Sequence, residues 1–159
     1  MELVDFSKWK IWERREELDG LDYPGVYALA VSIKNITDRP FSLIKEIKYF
    51  GMTNQNKDGL RGRLNQFQNT IIGKIGHGGA ERFLFKYKNY NALKKRLFVS
   101  VNFTECDVNS YKPEDLCRMG GVANFEYICF AEYAKKFGRL PEFNDKKLSS
   151  KAKKEIKRN

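Results

Sequence analysis

The sequence is poor in the residues that build metal clusters and disulfide frameworks. Its 159 residues include one histidine and three cysteines, and Cys106, Cys117 and Cys129 lie far apart with no Cys-x-x-Cys pair. A structural zinc site needs four suitably spaced Cys or His ligands, and too few of the four such residues here are suitably spaced. An odd number of isolated cysteines favours a reducing compartment over a disulfide scaffold.

Long apolar runs are also missing. None approaches the ~20 apolar residues that span a bilayer, and no basic-then-apolar leader opens the sequence. We therefore expect a soluble, cytoplasmic protein with no membrane partner. Hydrophobic residues at 42% and aromatic residues at 14% are enough for a core, which excludes a wholly disordered chain.

Positive charge is abundant and uneven. The net charge is +10 and the pI is near 9.5, which points to a polyanionic partner, with nucleic acid as the leading candidate. From Asp145 to Asn159 seven Lys or Arg stand against two acids, so half of the net charge lies there. We expect one domain over residues 1–145 and a basic tail over 146–159, for which a solvated, solubility-only role is favoured.

Two short apolar stretches that each carry a tyrosine predict a pair of strands, at about 26–33 and 44–51. The polar stretch 35–40 between them suits the turn of a long hairpin. If the strands pair antiparallel, Tyr27 and Tyr49 emerge on the same face of the sheet. Taken singly, each tyrosine is more often an ordinary strand aromatic.

The rest of the chain predicts a mixed α+β fold. Apolar periodicity predicts a third strand at 96–103 and helices at 5–18, 58–70, 80–89, 113–118 and 122–137. Gly120-Gly121 is expected to separate the last two helices. The first helix is interpreted as an accessory element (5–19) whose tryptophans pack on the core.

Glu126 is the most telling residue. On the last helix it falls inside the apolar stripe made by Val122, Phe125, Cys129, Tyr133 and Phe137. A buried, unpaired carboxylate is costly, so it needs a cation, a metal or a strong hydrogen-bond partner. A salt bridge to an arginine at the core edge and a metal site are equally open.

Other polar residues give weaker signals. Arg63 borders the buried face of its helix, whereas Arg61 is placed on the more exposed side. The glycines around His77 favour a solvent-exposed histidine over a packed one. Asn144, after Leu140-Pro141, is able to cap a turn.

Five elements nevertheless occur in a distinctive order. They are Gly25-Val26-Tyr27, Tyr49-Phe50-Gly51, Leu60-Arg61-Gly62-Arg63-Leu64, Glu126 on a helix, and Pro141-Glu142-Phe143-Asn144. In this order, residues 24–145 resemble the GIY-YIG nuclease superfamily. That superfamily includes the N-terminal nuclease of the bacterial UvrC repair subunit, phage homing endonucleases and some restriction enzymes.

The resemblance implies a three-stranded antiparallel sheet flanked by helices and a metal-dependent DNA endonuclease. It implies one divalent metal, Mg²⁺ or Mn²⁺, on Glu126, and no small-molecule cofactor. The implied catalytic residues are Tyr27, Tyr49, Arg63, His77, Glu126 and Asn144. Arg61, Arg63, Lys48 and Lys74 are the expected nucleic-acid contacts.

The chain departs from the resemblance at two positions. Many members carry a lysine where this sequence has Met52, and a histidine or tyrosine where it has Phe67. His77 is the candidate for the missing proton-transfer group. The departures keep open a catalytically inactive nucleic-acid-binding module and, less favoured, a basic protein-interaction domain. DNA or RNA as partner and the oligomeric state are also open.

Overall fold

The computed structural model describes residues 3, 5–55, 57–74 and 76–150. These form a four-stranded antiparallel sheet with helices on both faces, in agreement with the expected mixed α+β class. The strands are β1 Lys10–Ile11, β2 Gly25–Val31, β3 Ile47–Thr53 and β4 Leu97–Phe103. A 3₁₀ helix covers Trp12–Glu17, and the α-helices are α1 Gly59–Ile71, α2 Gly78–Tyr87, α3 Tyr90–Leu93 and α4 Pro113–Phe137. None of these helices is both long and apolar enough to be a membrane span.

The strand order is β1-β4-β2-β3, so the sheet has one strand more than expected. The extra strand is the two-residue β1, which pairs with β4 at one edge. β2 lies between β4 and β3, and every residue from Gly25 to Ala30 is buried. β3 forms the other edge, and the β2–β3 pairing confirms the predicted antiparallel hairpin.

The predicted N-terminal helix is wrong. The chain is extended before β1, where the Ser7 N–H donates to the Val101 carbonyl, and it becomes helical only from Trp12. Both tryptophans are buried, but Trp9 joins the core cluster on the α4 side of the sheet and Trp12 joins the cluster under α1. Their spacing of three therefore arises because the chain crosses the sheet edge, and not from a helical stripe.

α4 is one continuous helix, so the predicted break at Gly120-Gly121 is also wrong. Each interior glycine costs about 1 kcal/mol relative to alanine. The cost is offset because Val122, Cys129 and Tyr133 are buried on the sheet, and burying a large apolar side chain contributes ~1.5–3 kcal/mol. The helix ends at Gly138, whose φ of 70° is in the left-handed region.

Candidate active site

The two tyrosines meet on one face of the sheet, as the sequence predicted. The register pairs Tyr27 with Gly51 and Leu29 with Tyr49, which puts all four residues on the side covered by α1 and α2. The ring centroids of Tyr27 and Tyr49 are 6.0 Å apart. Tyr27 is fully buried and Tyr49 is half-buried.

Two glycines make room for these rings. A Cβ on Gly51 would lie 2.4 Å from the Tyr27 hydroxyl oxygen and 2.8 Å from Tyr49 Cε1. A Cβ on Gly79, in the first turn of α2, would lie 2.7 Å from Tyr49 Cζ. The tyrosines therefore lie directly against backbone, and any side chain at Gly51 or Gly79 would displace them.

His77 lies directly behind Tyr27 and is fully buried, so the expected solvent exposure is wrong. It is the N-cap of α2, where its Nδ1 accepts a hydrogen bond of 3.2 Å from the Ala80 N–H. Its Nε2 is 2.8 Å from the Tyr27 hydroxyl oxygen. The His77 N–H donates to the Thr70 hydroxyl at the end of α1, so backbone and side chain are both anchored.

These contacts assign the tautomer of His77. Since Nδ1 accepts from Ala80, the neutral ring carries its hydrogen on Nε2 and donates it to the Tyr27 oxygen. Burial, with a smaller effect of the Arg63 charge, lowers the pKa of His77 to about 3, which keeps the ring neutral. His77 is therefore a hydrogen-bond donor to Tyr27 and does not accept its proton.

Phe67 occupies the position at which many members of the resembled superfamily carry a histidine or tyrosine. Its ring packs against His77. The two rings meet edge to face, with centroids 5.4 Å apart and planes at 80°. Phe67 is fully buried in the core beneath α1. The imidazole of His77 thus contacts Tyr27 from the start of α2, whereas the ring that α1 places beside it has no polar atom.

Arg63 faces the tyrosines, and Arg61 does not. Nη1 of Arg63 donates to Gln66, while its buried Nε has no hydrogen-bond partner in the part of the chain that the structure describes. The Arg63 charge acts to lower the pKa values of both tyrosines and of Glu126. Arg61 is paired with Glu16 and Asp22 on the outer side of α1.

Glu126 reaches the same region from α4, on the other side of the sheet. It is half-buried, and no hydrogen bond or ion pair joins it to another described residue, so the salt bridge considered above is not formed there. Burial raises the pKa of its carboxyl, and Arg63 opposes the shift. Its negative charge in turn acts to raise the pKa values of Tyr27 and Tyr49.

The carboxyl of Glu126 has the oxygen chemistry that Mg²⁺ prefers in its protein ligands. Mg²⁺ commonly keeps several waters and takes one or two carboxylates together with substrate phosphates. Within the described ranges no group of three His, Cys, Asp or Glu forms a complete metal cage. A partly buried carboxylate without a protein partner meets the simpler requirement.

Both tyrosine hydroxyls hold their protons firmly in the protein alone. Burial raises the pKa of Tyr27 well above the usual 10, with a further contribution from Tyr49 and opposition from Arg63. Burial also raises the pKa of Tyr49. A phenolate at either position would need additional positive charge nearby.

Asn144 secures the outer edge of β3. Its side-chain amide donates to the Phe50 carbonyl and accepts from the Phe50 N–H, both at 2.8 Å. Lys48 is paired with Glu142 from the same loop. Lys74 is exposed after α1. The amide of Asn144 is thus used to hold the strand that carries Tyr49.

Arg82 and Lys146 are residues that the sequence analysis missed. With Tyr49, Arg63 and Asn144 they line a pocket of about 240 Å³. Arg82 follows Gly78 and Gly79 by four and three residues, so helical spacing places all three on one side of α2. That spacing was available from the sequence once His77 marked the start of the helix.

Residues 146–150, assigned to the tail, also contact the domain, because Ser149 accepts hydrogen bonds from Arg82.

Comparisons of the chain with models of protein families, with curated proteins and with solved structures gave no match. The function of the site is therefore inferred from its own side chains: two hydroxyls, a histidine that donates to one of them, an arginine and a carboxylate.

Proposed function

We propose that the chain is a metal-dependent endonuclease of the GIY-YIG type that hydrolyses phosphodiester bonds in DNA. The observation that carries the proposal is the grouping of Tyr27, Tyr49 and Arg63 on one sheet face, with the partnerless carboxylate of Glu126 within electrostatic reach. Structural ion-pair networks neutralise their charges, but among the described residues neither Arg63, whose Nη1 donates only to the neutral Gln66, nor Glu126 forms an ion pair.

Phosphodiester hydrolysis needs an oriented water, stabilisation of charge on the phosphate and help for the departing oxygen. Arg63 is the phosphate-binding group, because its planar fork makes two parallel hydrogen bonds to phosphate oxygens. Its buried Nε has no other partner among the described residues, so binding a phosphate satisfies a polar group that is otherwise desolvated.

Glu126 holds Mg²⁺ or Mn²⁺ in this proposal. A cation beside the carboxylate offsets the desolvation that raises its pKa, so the site favours the ionised side chain when loaded. A metal held by Glu126 would supply positive charge and Lewis acidity to the phosphate. Positive charge near the tyrosines also opposes the effect of burial on their hydroxyls.

Tyr27 positions the attacking water through its neighbour Tyr49, because Tyr27 itself is fully buried whereas Tyr49 lines the open pocket. Because the Tyr27 oxygen accepts the Nε2 hydrogen of His77, its own hydrogen is available to another partner. His77 acts as a positioning residue, since it fixes the hydroxyl and does not take its proton. Asn144 contributes through β3, whose register it holds beside Tyr49.

A catalytically inactive nucleic-acid-binding module is the second candidate. The raised pKa values of both hydroxyls and the phenyl ring at position 67 favour it. The net positive charge and Arg63 would serve binding equally well. The two candidates differ in whether Glu126 matters for a chemical step.

Nicking of supercoiled plasmid in Mg²⁺ or Mn²⁺ tests the proposal. We expect nicking by the wild type and a loss of roughly 100-fold or more in Glu126→Ala and Glu126→Gln, comparable to removing one main electrostatic group from an active site. Glu114→Gln, an exposed acid in the first turn of α4, is the matched charge control and should retain activity. Equal nicking by wild type and Glu126 variants, or none by any of them, rejects the nuclease; salt-sensitive binding without nicking then leaves the binding module.

A further inference from the structure

The pocket beside Tyr49 concentrates positive charge. Its charged lining residues are Arg63, Arg82 and Lys146, and no carboxylate is among the residues that line it. Its volume of about 240 Å³ is far above the ~15 Å³ that admits one water. Three cations around an open space repel one another unless an anion lies between them.

Arg82 is the strongest indication that an anion belongs there. Only 7% of Arg82 is exposed, yet within the described residues it makes no ion pair. Its Nη1 donates to the carbonyl and hydroxyl oxygens of Ser149, which are neutral acceptors. By contrast, Lys48 and Lys86 nearby are both neutralised by Glu142. A buried guanidinium without a counter-charge is costly unless a ligand supplies one.

The start of α2 adds hydrogen-bond donors to the same pocket. Gly78 and Gly79 line it, and first-turn N–H groups have no acceptor within their own helix. The N–H groups of Ala80 and Glu81 are already used by His77. Exposed amides at a helix N-terminus favour anions, and a phosphate oxygen is a fitting acceptor.

We infer that this pocket binds a second phosphate of the nucleic-acid strand, next to the phosphate that is cut. Arg63 lines the pocket and also acts on the sheet face that carries Tyr27 and Tyr49, which we call the tyrosine face. The two phosphates therefore lie on either side of the Arg63 guanidinium. This inference rests on the proposed function. The second contact fixes the strand's position across Tyr27 and Tyr49 without reading its sequence, as backbone contacts do.

Salt dependence of DNA binding measures the number of phosphates neutralised. For Lys146→Gln, assayed with a short duplex in EDTA so that no cleavage occurs, we expect the slope of log K against log [salt] to fall by about one. The matched control is Lys147→Gln, because Lys147 is the neighbouring exposed lysine and does not line the pocket. An equal effect of the two substitutions overturns the inference.

Arg82→Gln should lower the same slope by about one. Because Arg82 also donates hydrogen bonds to Ser149, thermal melting is used to check that the Arg82→Gln variant is folded. Lys146 is exposed, so its substitution decides the matter even when Arg82→Gln does not fold.

A terminal phosphate monoester has the same chemistry as an internal diester, and closed circular plasmid separates them because it has no ends. We expect Lys146→Gln to weaken binding of the circle as well. An effect confined to 5′-phosphorylated linear DNA overturns an internal-phosphate site.

Plasmid nicking by the wild type reports separately on the proposed function. If the wild type nicks DNA but Lys146→Gln leaves the salt-dependence slope unchanged, the pocket alone is rejected. If Lys146→Gln lowers the slope but the wild type does not nick DNA, the pocket is supported and the nuclease is rejected. Wild type that shows no salt-dependent binding rejects both.

Discussion

The hydroxyl oxygen of Tyr27 and Nε2 of His77 are 2.8 Å apart, although fifty residues separate them in the chain. This hydrogen bond ties the central strand β2 to the N-cap of α2. His77, the chain's one histidine, thus connects the tyrosine face with α2, whose start lines the pocket beside Tyr49. His77 has two separable tasks, to cap α2 and to orient Tyr27.

Two substitutions at His77 separate those tasks. Asparagine keeps the cap but is too short to reach Tyr27, so His77→Asn should lower the free energy of unfolding by about 1–3 kcal/mol, the cost of a buried unsatisfied hydroxyl. His77→Leu also loses the cap and should cost about 1 kcal/mol more. Urea unfolding at pH 7 measures both. Equal stability of His77→Asn and the wild type would show that the bond to Tyr27 contributes nothing.

Acid should destabilise the protein through the same residue. The pKa of His77 is lowered to about 3 in the folded state, against ~6.5 when unfolded. The unfolded chain therefore binds the proton first, so this contribution is complete above pH 6.5 and is lost as the pH falls from there toward 3. Between pH 7 and pH 5 we expect a loss of about 2 kcal/mol.

The pH effect is isolated by comparing the wild type with His77→Asn in urea unfolding at both pH values. Other titrating groups are shared, so they cancel in the difference. A difference between the two proteins that stays constant from pH 7 to pH 5 would contradict a buried neutral histidine.

Gly51→Ala should distort the site because the new Cβ would lie 2.4 Å from the Tyr27 hydroxyl oxygen. We expect a loss of ~1–3 kcal/mol of stability from overpacking, together with loss of nicking. Gly120→Ala is the control: its Cβ would meet no atom within 4 Å, and alanine in a helix interior should add ~0.5–1 kcal/mol. Thermal melting compares the stability of the two variants with that of the wild type. If Gly51→Ala lowered neither stability nor nicking, the close contact between Gly51 and the two tyrosines would be contradicted.

Arg63→Lys keeps the charge but loses the planar fork, so we expect nicking to fall by roughly tenfold or more. Arg61→Lys should stay near the wild type, because Arg61 is engaged with Glu16 and Asp22 and exposed ion pairs contribute little, ~0–1 kcal/mol. Steady-state kinetics on one substrate compares them. Equal losses in the two variants would mean that Arg61, predicted as a nucleic-acid contact, acts at the site after all.

The spacing of residues along strands and helices predicted which side chains share a face when only one or two neighbouring elements are involved. The shared face of Tyr27 and Tyr49 follows from antiparallel pairing alone. The placement of Glu126 follows from its angle on α4, although the side chain is half-buried rather than enclosed. The order of the main strands and helices followed from the same local patterns.

Relations between distant segments were not available from local patterns. Glycines on both sides of His77 resemble a solvent-exposed loop, and only the packing of α2 on α1 buries the ring. Trp9 and Trp12 show helical spacing, but they are distributed to two core clusters because the chain crosses a sheet edge there. At Gly120-Gly121 tertiary packing overrides local propensity.

The amide of Asn144 imitates a peptide group at the outer edge of β3, and the Phe143 N–H adds a bond to the Lys48 carbonyl. Unpaired strand edges are templates for association with other chains. The segment after α4 therefore acts as a substitute strand that closes the sheet on this side, while the two-residue β1 leaves little to pair with on the other. Cutting the chain short after α4 would expose β3 to strand exchange between molecules, so the loop that steadies Tyr49 also guards against self-assembly.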